Sequence, residues 1–135
     1  MRAHHFLLQI VFETHSWSTD NDAGIASGWN HGQLSERGKV LAKELGERRR
    51  NDTLDAIFAS DLGRAVETAV IAFSNVRIPM YFDSSLRECN YGDWNGAPID
   101  ALTGKRRQFI SSPYRKRSGR TGSRALGAAA RAAMQ

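Results

Sequence analysis

Leu54-Asp-Ala-Ile-Phe-Ala59, followed at once by Ser60-Asp-Leu-Gly-Arg64-Ala-Val-Glu-Thr68-Ala-Val-Ile-Ala-Phe73, changes character in mid-stretch. The first part is a short apolar run of strand length. The second predicts a helix, with Ser60-Asp61 as its capping pair. Ile78-Pro-Met-Tyr-Phe82 is the next apolar run and reads as another strand. Strand, helix, strand in this order predicts two parallel strands joined by a helical crossover.

Working outward toward the N-terminus, residues 34–52 predict a second helix. Ser35 is a good N-cap and Glu36 favours the first turn, while Arg48, Arg49 and Arg50 suit the last one. Leu41, Ala42 and Leu45 make one face, and Lys39, Lys43, Glu47 and Arg50 the other. Asn51-Asp52 ends the element. Residues 6–12, Phe-Leu-Leu-Gln-Ile-Val-Phe, predict a buried first strand. Between it and the helix, residues 13–33 are rich in Thr, Ser, Asp, Asn and Gly and read as a long functional loop. Beyond Asp83 lies a turn-rich loop carrying Arg87, Glu88, Tyr91 and Trp94. The pattern as a whole predicts an α/β fold with a mostly parallel sheet.

Ligands of such sheets bind at the carboxyl ends of the strands. Each of the three loops leaving those ends carries a reactive or charged group: His15 after the first strand, Arg64 after the second, Glu88 after the third. A neutral imidazole is a competent nucleophile toward phosphorus, and a covalent intermediate divides a hard displacement into two easier ones. An arginine in a helix's first turn is unfavourable unless an anion meets it there, and a guanidinium fork at a helix N-terminus suits phosphate oxygens. A carboxyl group such as Glu88 can protonate a leaving oxygen and later deprotonate water. Asn21, Ser27 and the backbone near Ser27-Gly28 would add neutral donors. Asp61 reads as a helix cap, Cys89 as a packed small side chain, and the tryptophans as packing. His4, His5 and His31 read as solvent-exposed, and no spacing supports a metal site.

The residues in these loops resemble the histidine phosphatase superfamily, the phosphoglycerate-mutase-like proteins. That family follows its first strand with Arg-His-Gly-Glu-Thr and an Asn six residues after the His. Here Thr14-His15-Ser16-Trp17-Ser18 is followed by Asn21. Leu34-Ser35-Glu36-Arg37-Gly38 matches the family's helix start. Ala59-Ser60-Asp61-Leu62-x-Arg64-Ala65-x-x-Thr68-Ala69 and Leu86-Arg87-Glu88-x-x-Tyr91-Gly92-x-Trp94-x-Gly96 match its second and third signatures. The resemblance covers about residues 6–100. It implies a three-layer α/β sandwich, incomplete at the C-terminus, with His15 as the phosphorylated nucleophile and Glu88 as the acid and base. It further implies Arg64, Asn21 and Ser27 around the phosphate, and Arg87 and Tyr91 where some mutases touch the distal part of the substrate. A small phosphorylated substrate is expected, with no cofactor and no metal.

Two positions depart from the family. Its arginine before the catalytic histidine is Thr14 here, and its second histidine has no counterpart, since no histidine follows His31. Three readings therefore stay open: a phosphomonoester hydrolase working through phosphohistidine, an impaired or inactive truncated member, and a mutase. The hydrolase is preferred over the mutase, because re-donating a phosphoryl group demands a fully enclosing pocket.

Charge divides the chain. Residues 1–104 hold 10 Lys and Arg against 14 Asp and Glu, a balance of −4, whereas residues 105–135 hold 9 basic residues and no acid. The expected organisation is a partial histidine phosphatase domain over 1–104 and a basic tail over 105–135. That tail is expected to be disordered, or the product of a shifted frame or truncation near Tyr114. A block of one charge is more often a solvated segment than a nucleic-acid site, so no nucleic-acid partner is expected. No apolar run is long enough to cross a bilayer, no secretory signal is recognised, and the lone Cys89 fits a reducing compartment; the expectation is a cytoplasmic protein.

Overall fold

The computed structural model describes residues 7–105. Helix α2 (Glu36–Arg49) starts as its cap predicts: the Ser35 hydroxyl accepts the Gly38 amide at 3.1 Å, and two arginines lie in the last turn. Ala42 and Leu45 are buried on its inner face. Strand β2 (Ile57–Ala59) runs parallel to β3 (Met80–Phe82), with Ile57 opposite Met80 and Ala59 opposite Phe82. Helix α3 (Gly63–Ala72) joins them and packs against α2, so the predicted strand–helix–strand unit is present.

The start of α3 differs in detail from its reading. Its N-cap is Leu62, without a side-chain cap, while the Ser60 hydroxyl accepts the Leu62 amide one step earlier at 3.1 Å. Asp61 is no cap at all; its carboxylate has been drawn away to Arg87. An arginine 26 residues downstream outcompetes the exposed amides because it offers two charge-assisted bonds at once.

The loop over residues 13–33 contains two small elements of its own. Helix α1 (Thr19–Asp22) is closed by a capping box between Ser18 and Asn21. Strand β1 (Ile25–Ala26) pairs antiparallel with β4 (Ala97–Pro98), which leads directly into α4 (Ile99–Thr103). Leu102 of α4 is fully buried, so the last described helix is tied back onto the loop that precedes α2. Two short 3₁₀ turns, Ser84–Leu86 and Gly92–Trp94, shape the segment between β3 and β4.

The expected first strand is a correction. Residues 7–12 carry neither strand nor helix, and Leu7 and Phe12 are 95% and 84% exposed. A strand gains its backbone bonds only from a neighbour. Among the described residues β2 pairs only with β3, and none pairs with residues 7–12. Apolar composition alone does not make a strand where no ladder is on offer. The reading of residues 105–135 lies outside the described residues except for Lys105.

Candidate active site

Arg64 sits in the first turn of α3 and is 1% exposed. All five of its N–H groups have acceptors. Nη1 donates to the Asn30 carbonyl at 2.7 Å and the His31 carbonyl at 3.4 Å. Nη2 donates to the Gly28 carbonyl at 2.9 Å and to Glu88 Oε2 at 2.8 Å, and Nε donates to His15 Nε2 at 3.2 Å. Three carbonyls of one loop therefore fix the guanidinium from one side, and His15 and Glu88 meet it from the other. Gly28 makes the close approach of that loop possible: it has φ +53°, and a Cβ there would collide with Asn95 and Tyr91.

The tautomer of His15 follows from its partners. Its Nδ1 lies 2.7 Å from the Ser16 carbonyl, which can only accept, so Nδ1 carries the proton. Arg64 Nε can only donate, so Nε2 holds the free lone pair. The imidazole thus presents a nucleophilic nitrogen to a buried cation. The neighbouring backbone is held by side chains: the Ser16 amide donates to Thr68 Oγ1 at 2.9 Å, and the Ser16 hydroxyl donates to the Gly38 carbonyl at 2.7 Å.

Of the other expected site residues, Ser27 is buried with its hydroxyl donated to Asp20 Oδ2 at 2.6 Å. Asn21 spends its side-chain oxygen on the amide and hydroxyl of Ser18. Neither side chain is bonded to His15, Arg64 or Glu88. Tyr91 flanks Gly28. Arg87 grips Asp61 through two bonds and lies over the ring of Trp29, 4.9 Å from its centre. This pairing holds the Asp61 carboxyl below the usual carboxylate range and pushes the Arg87 guanidinium up. Trp29 in turn donates its indole N–H to the Glu88 carbonyl at 2.9 Å, so the Arg87–Asp61 pair braces the backbone that carries Glu88.

Sequence reading missed three of the residues that build this arrangement. Asn95 accepts the Trp29 and Tyr91 amides at 3.2 and 3.0 Å and thereby joins the two loops flanking Arg64. Thr68 bonds the His15 loop to α3, and its spacing of four residues from Arg64 was the available signal, since a helical Thr often bonds the carbonyl one turn back. Asp61 was read as a cap. Among the described residues, no group of three or more His, Cys, Asp or Glu is placed to hold a metal, and no helix is long and apolar enough to cross a membrane.

The α/β unit around this cluster has the fold of the phosphoglycerate-mutase-like structures. A phosphoglycerate mutase structure from Bacillus anthracis superimposes with a TM-score of 0.63 at 26% identity, over 75% of this chain and 47% of that one. Bacillus stearothermophilus YhfR gives 0.62 at 37% identity, over 67% of this chain and 45% of that one. The family model of the histidine phosphatase superfamily (branch 1) matches residues 10–134, and the chain belongs to that superfamily. A probable phosphoglycerate mutase GpmB of Yersinia pestis is 34% identical over 103 residues, 76% of this chain and 48% of that protein. The chain thus spans about half the length of the relatives it matches.

Proposed function

We propose that this chain carries the phosphohistidine chemistry of a phosphomonoester hydrolase, with a small phosphorylated molecule as substrate. The observation that carries the reading is His15 Nε2 facing the N–H of the buried Arg64 guanidinium at 3.2 Å. In the first step the Nε2 lone pair attacks phosphorus, the ester P–O bond breaks, and protonated Glu88 gives its proton to the leaving oxygen. In the second, water attacks the phosphorus, the P–N bond breaks with its electron pair returning to Nε2, and the Glu88 carboxylate takes the water proton. Arg64 neutralises the phosphoryl oxygens throughout.

Hydrolysis is preferred to mutase chemistry because Arg87, the group expected to meet a distal anionic part of the substrate, is already engaged by Asp61. Phosphatases also stand among the similar structures, including a mycobacterial glucosyl-3-phosphoglycerate phosphatase at 28% identity and a TM-score of 0.60. A second reading has its own support. Thr14 stands in the place of the family's other arginine, which favours a phosphate binder without turnover.

One experiment separates the readings. The chain and its His15→Ala variant are incubated with an aryl phosphate, and acid-labile phosphate on the protein is trapped by rapid quench. The hydrolase predicts turnover and a trapped label, both lost by about a thousandfold or more in the variant. Phosphate binding without either signal leaves the second reading standing and removes the first.

A further inference from the structure

With no strand over residues 7–12, something other than a sheet ladder must hold His15 in register with Arg64. Most of the bonds that anchor its neighbours run to α2: Glu13, two residues before His15, accepts from Arg49. The Ser16 hydroxyl reaches α2 through Gly38, and the Ser35 amide donates to the Trp17 carbonyl at 3.1 Å. The Ser16 amide alone reaches α3, and it does so through Thr68.

We propose that Thr68 is a positioning residue for His15, its hydroxyl locking the histidine loop to the helix that bears Arg64. The inference rests on the reading of His15 as nucleophile and adds to it the group that sets its geometry. Thr68 is 5% exposed, and its single hydroxyl proton is committed to the Arg64 carbonyl at 2.7 Å, since a carbonyl can only accept. Its lone pairs are then left for the Ser16 N–H, which can only donate, at 2.9 Å. The hydroxyl therefore has one orientation.

These bonds close a circuit. From Thr68 it passes through the Ser16 amide to the Ser16 carbonyl, which holds His15 Nδ1–H. It crosses the imidazole to Nε2, which meets Arg64 Nε, and returns along Arg64 to the carbonyl that holds Thr68. Each link supports the next, so the hydroxyl of a helix residue acts with the Arg64 N–H to hold one imidazole nitrogen free and to aim it. Without it, the His15–Ser16 peptide loses its hold on α3, the Ser16 backbone can turn about its own dihedrals so that the Ser16 carbonyl shifts from Nδ1, and the Nε2–H tautomer becomes competitive. That tautomer places a proton on the attacking atom and turns an N–H toward a guanidinium.

The test uses Thr68→Val, which keeps the side-chain shape and removes the hydroxyl, and Thr68→Ser, which keeps the hydroxyl. Imidazole ¹⁵N–¹H correlation spectra report the His15 tautomer directly and need no turnover. The wild type and Thr68→Ser are expected to show the Nδ1–H form, and Thr68→Val a mixture or the Nε2–H form. Where aryl phosphate hydrolysis is measurable, kcat is expected to fall at least tenfold in Thr68→Val with KM nearly unchanged, and to recover most of that loss in Thr68→Ser. A folded Thr68→Val protein that retains the Nδ1–H form and its kcat would overturn the proposal. Should Thr68→Val not fold, exchange of the Ser16 amide in the wild type decides: protection is expected, and exchange at the rate of a free peptide defeats the idea. Absence of turnover in the wild type as well as in both variants, with the expected tautomer pattern intact, defeats the hydrolase reading and leaves the positioning role standing.

Discussion

At Arg64 the fork has no spare donor, and this shapes how an anion can enter. Asn30, His31 and Gly28 contribute main-chain carbonyls, which stay in place, so a phosphate oxygen gains Nη2 or Nε only by displacing Glu88 or His15. Glu88 thus occupies a phosphate position and repels phosphate by its charge. Glu88→Gln is expected to tighten inorganic phosphate about threefold by isothermal titration, within the ~1 kcal/mol of a half-exposed ion pair. The same variant loses the proton donor, and turnover is expected to drop about a hundredfold or more; weaker phosphate binding would contradict the competition. Asp61 supplies a second prediction. Its folded carboxyl lies below the ordinary 3.8, so the stabilisation from Arg87 is present above that pH and is lost as pH falls through the lower folded value. Asp61→Asn should therefore be less stable than wild type at pH 7, with the gap closing below about pH 3.8; urea midpoints across that range measure it, and a constant gap counts against the pairing. That His15, Arg64 and Glu88 come together was legible because reactive side chains in loops and at a helix start announce themselves by type. Thr68, Asn95 and the Arg87–Asp61 pair were not, because their work is done by hydrogen bonds between segments 26 to 66 residues apart.

Helices were more legible than strands. Ser35 capped α2 where its type and spacing placed it, and α3 begins close behind the Ser60-Asp61 pair that announced it. The pairing of β1 with β4 had no signal, since two residues on each side carry no period and the partners lie far apart in sequence. Residues 7–12 show the opposite error, an apolar run read as a strand although only a partner could have made it one. The contact between α2 and α3 depends on Gly46, whose missing side chain lets the helix approach the end of α3: a Cβ there would collide with the Ala72 carbonyl. Gly46→Ala gains up to about 1 kcal/mol of helix propensity and loses about 1–3 kcal/mol to overpacking. The expected result is net destabilisation by about 1–2 kcal/mol in chemical denaturation; an increase in stability would show that the helices separate without cost.

For the chain as a whole, apolar exposure and charge separation make opposite predictions about association. Leu7, Leu8, Ile10 and Phe12 are exposed, and Phe58, Tyr81 and Phe82 of the β2–β3 pair are partly so. Free apolar segments and open strand edges are what neighbouring copies recruit. The balance of −4 over residues 1–104 and +9 over residues 105–135 offers a second route, the basic end of one copy against the acidic body of another. Salt separates the two. At 1 M salt the Debye length is about 3 Å, which suppresses contacts between exposed charges and leaves apolar burial intact. Concentration-dependent association is expected by sedimentation velocity, and it should persist at 1 M salt. The double substitution Leu8→Lys and Ile10→Lys should abolish it, because placing two ammonium groups on the segment makes its burial costly. Dissociation by salt with no effect of the lysines would assign association to charge instead. The His15 site enters this prediction as well, since residues 7–12 lead directly into its loop. If apolar association orders that segment, the lysine variant should show faster exchange at the amides of residues 13–16 than the associated wild type.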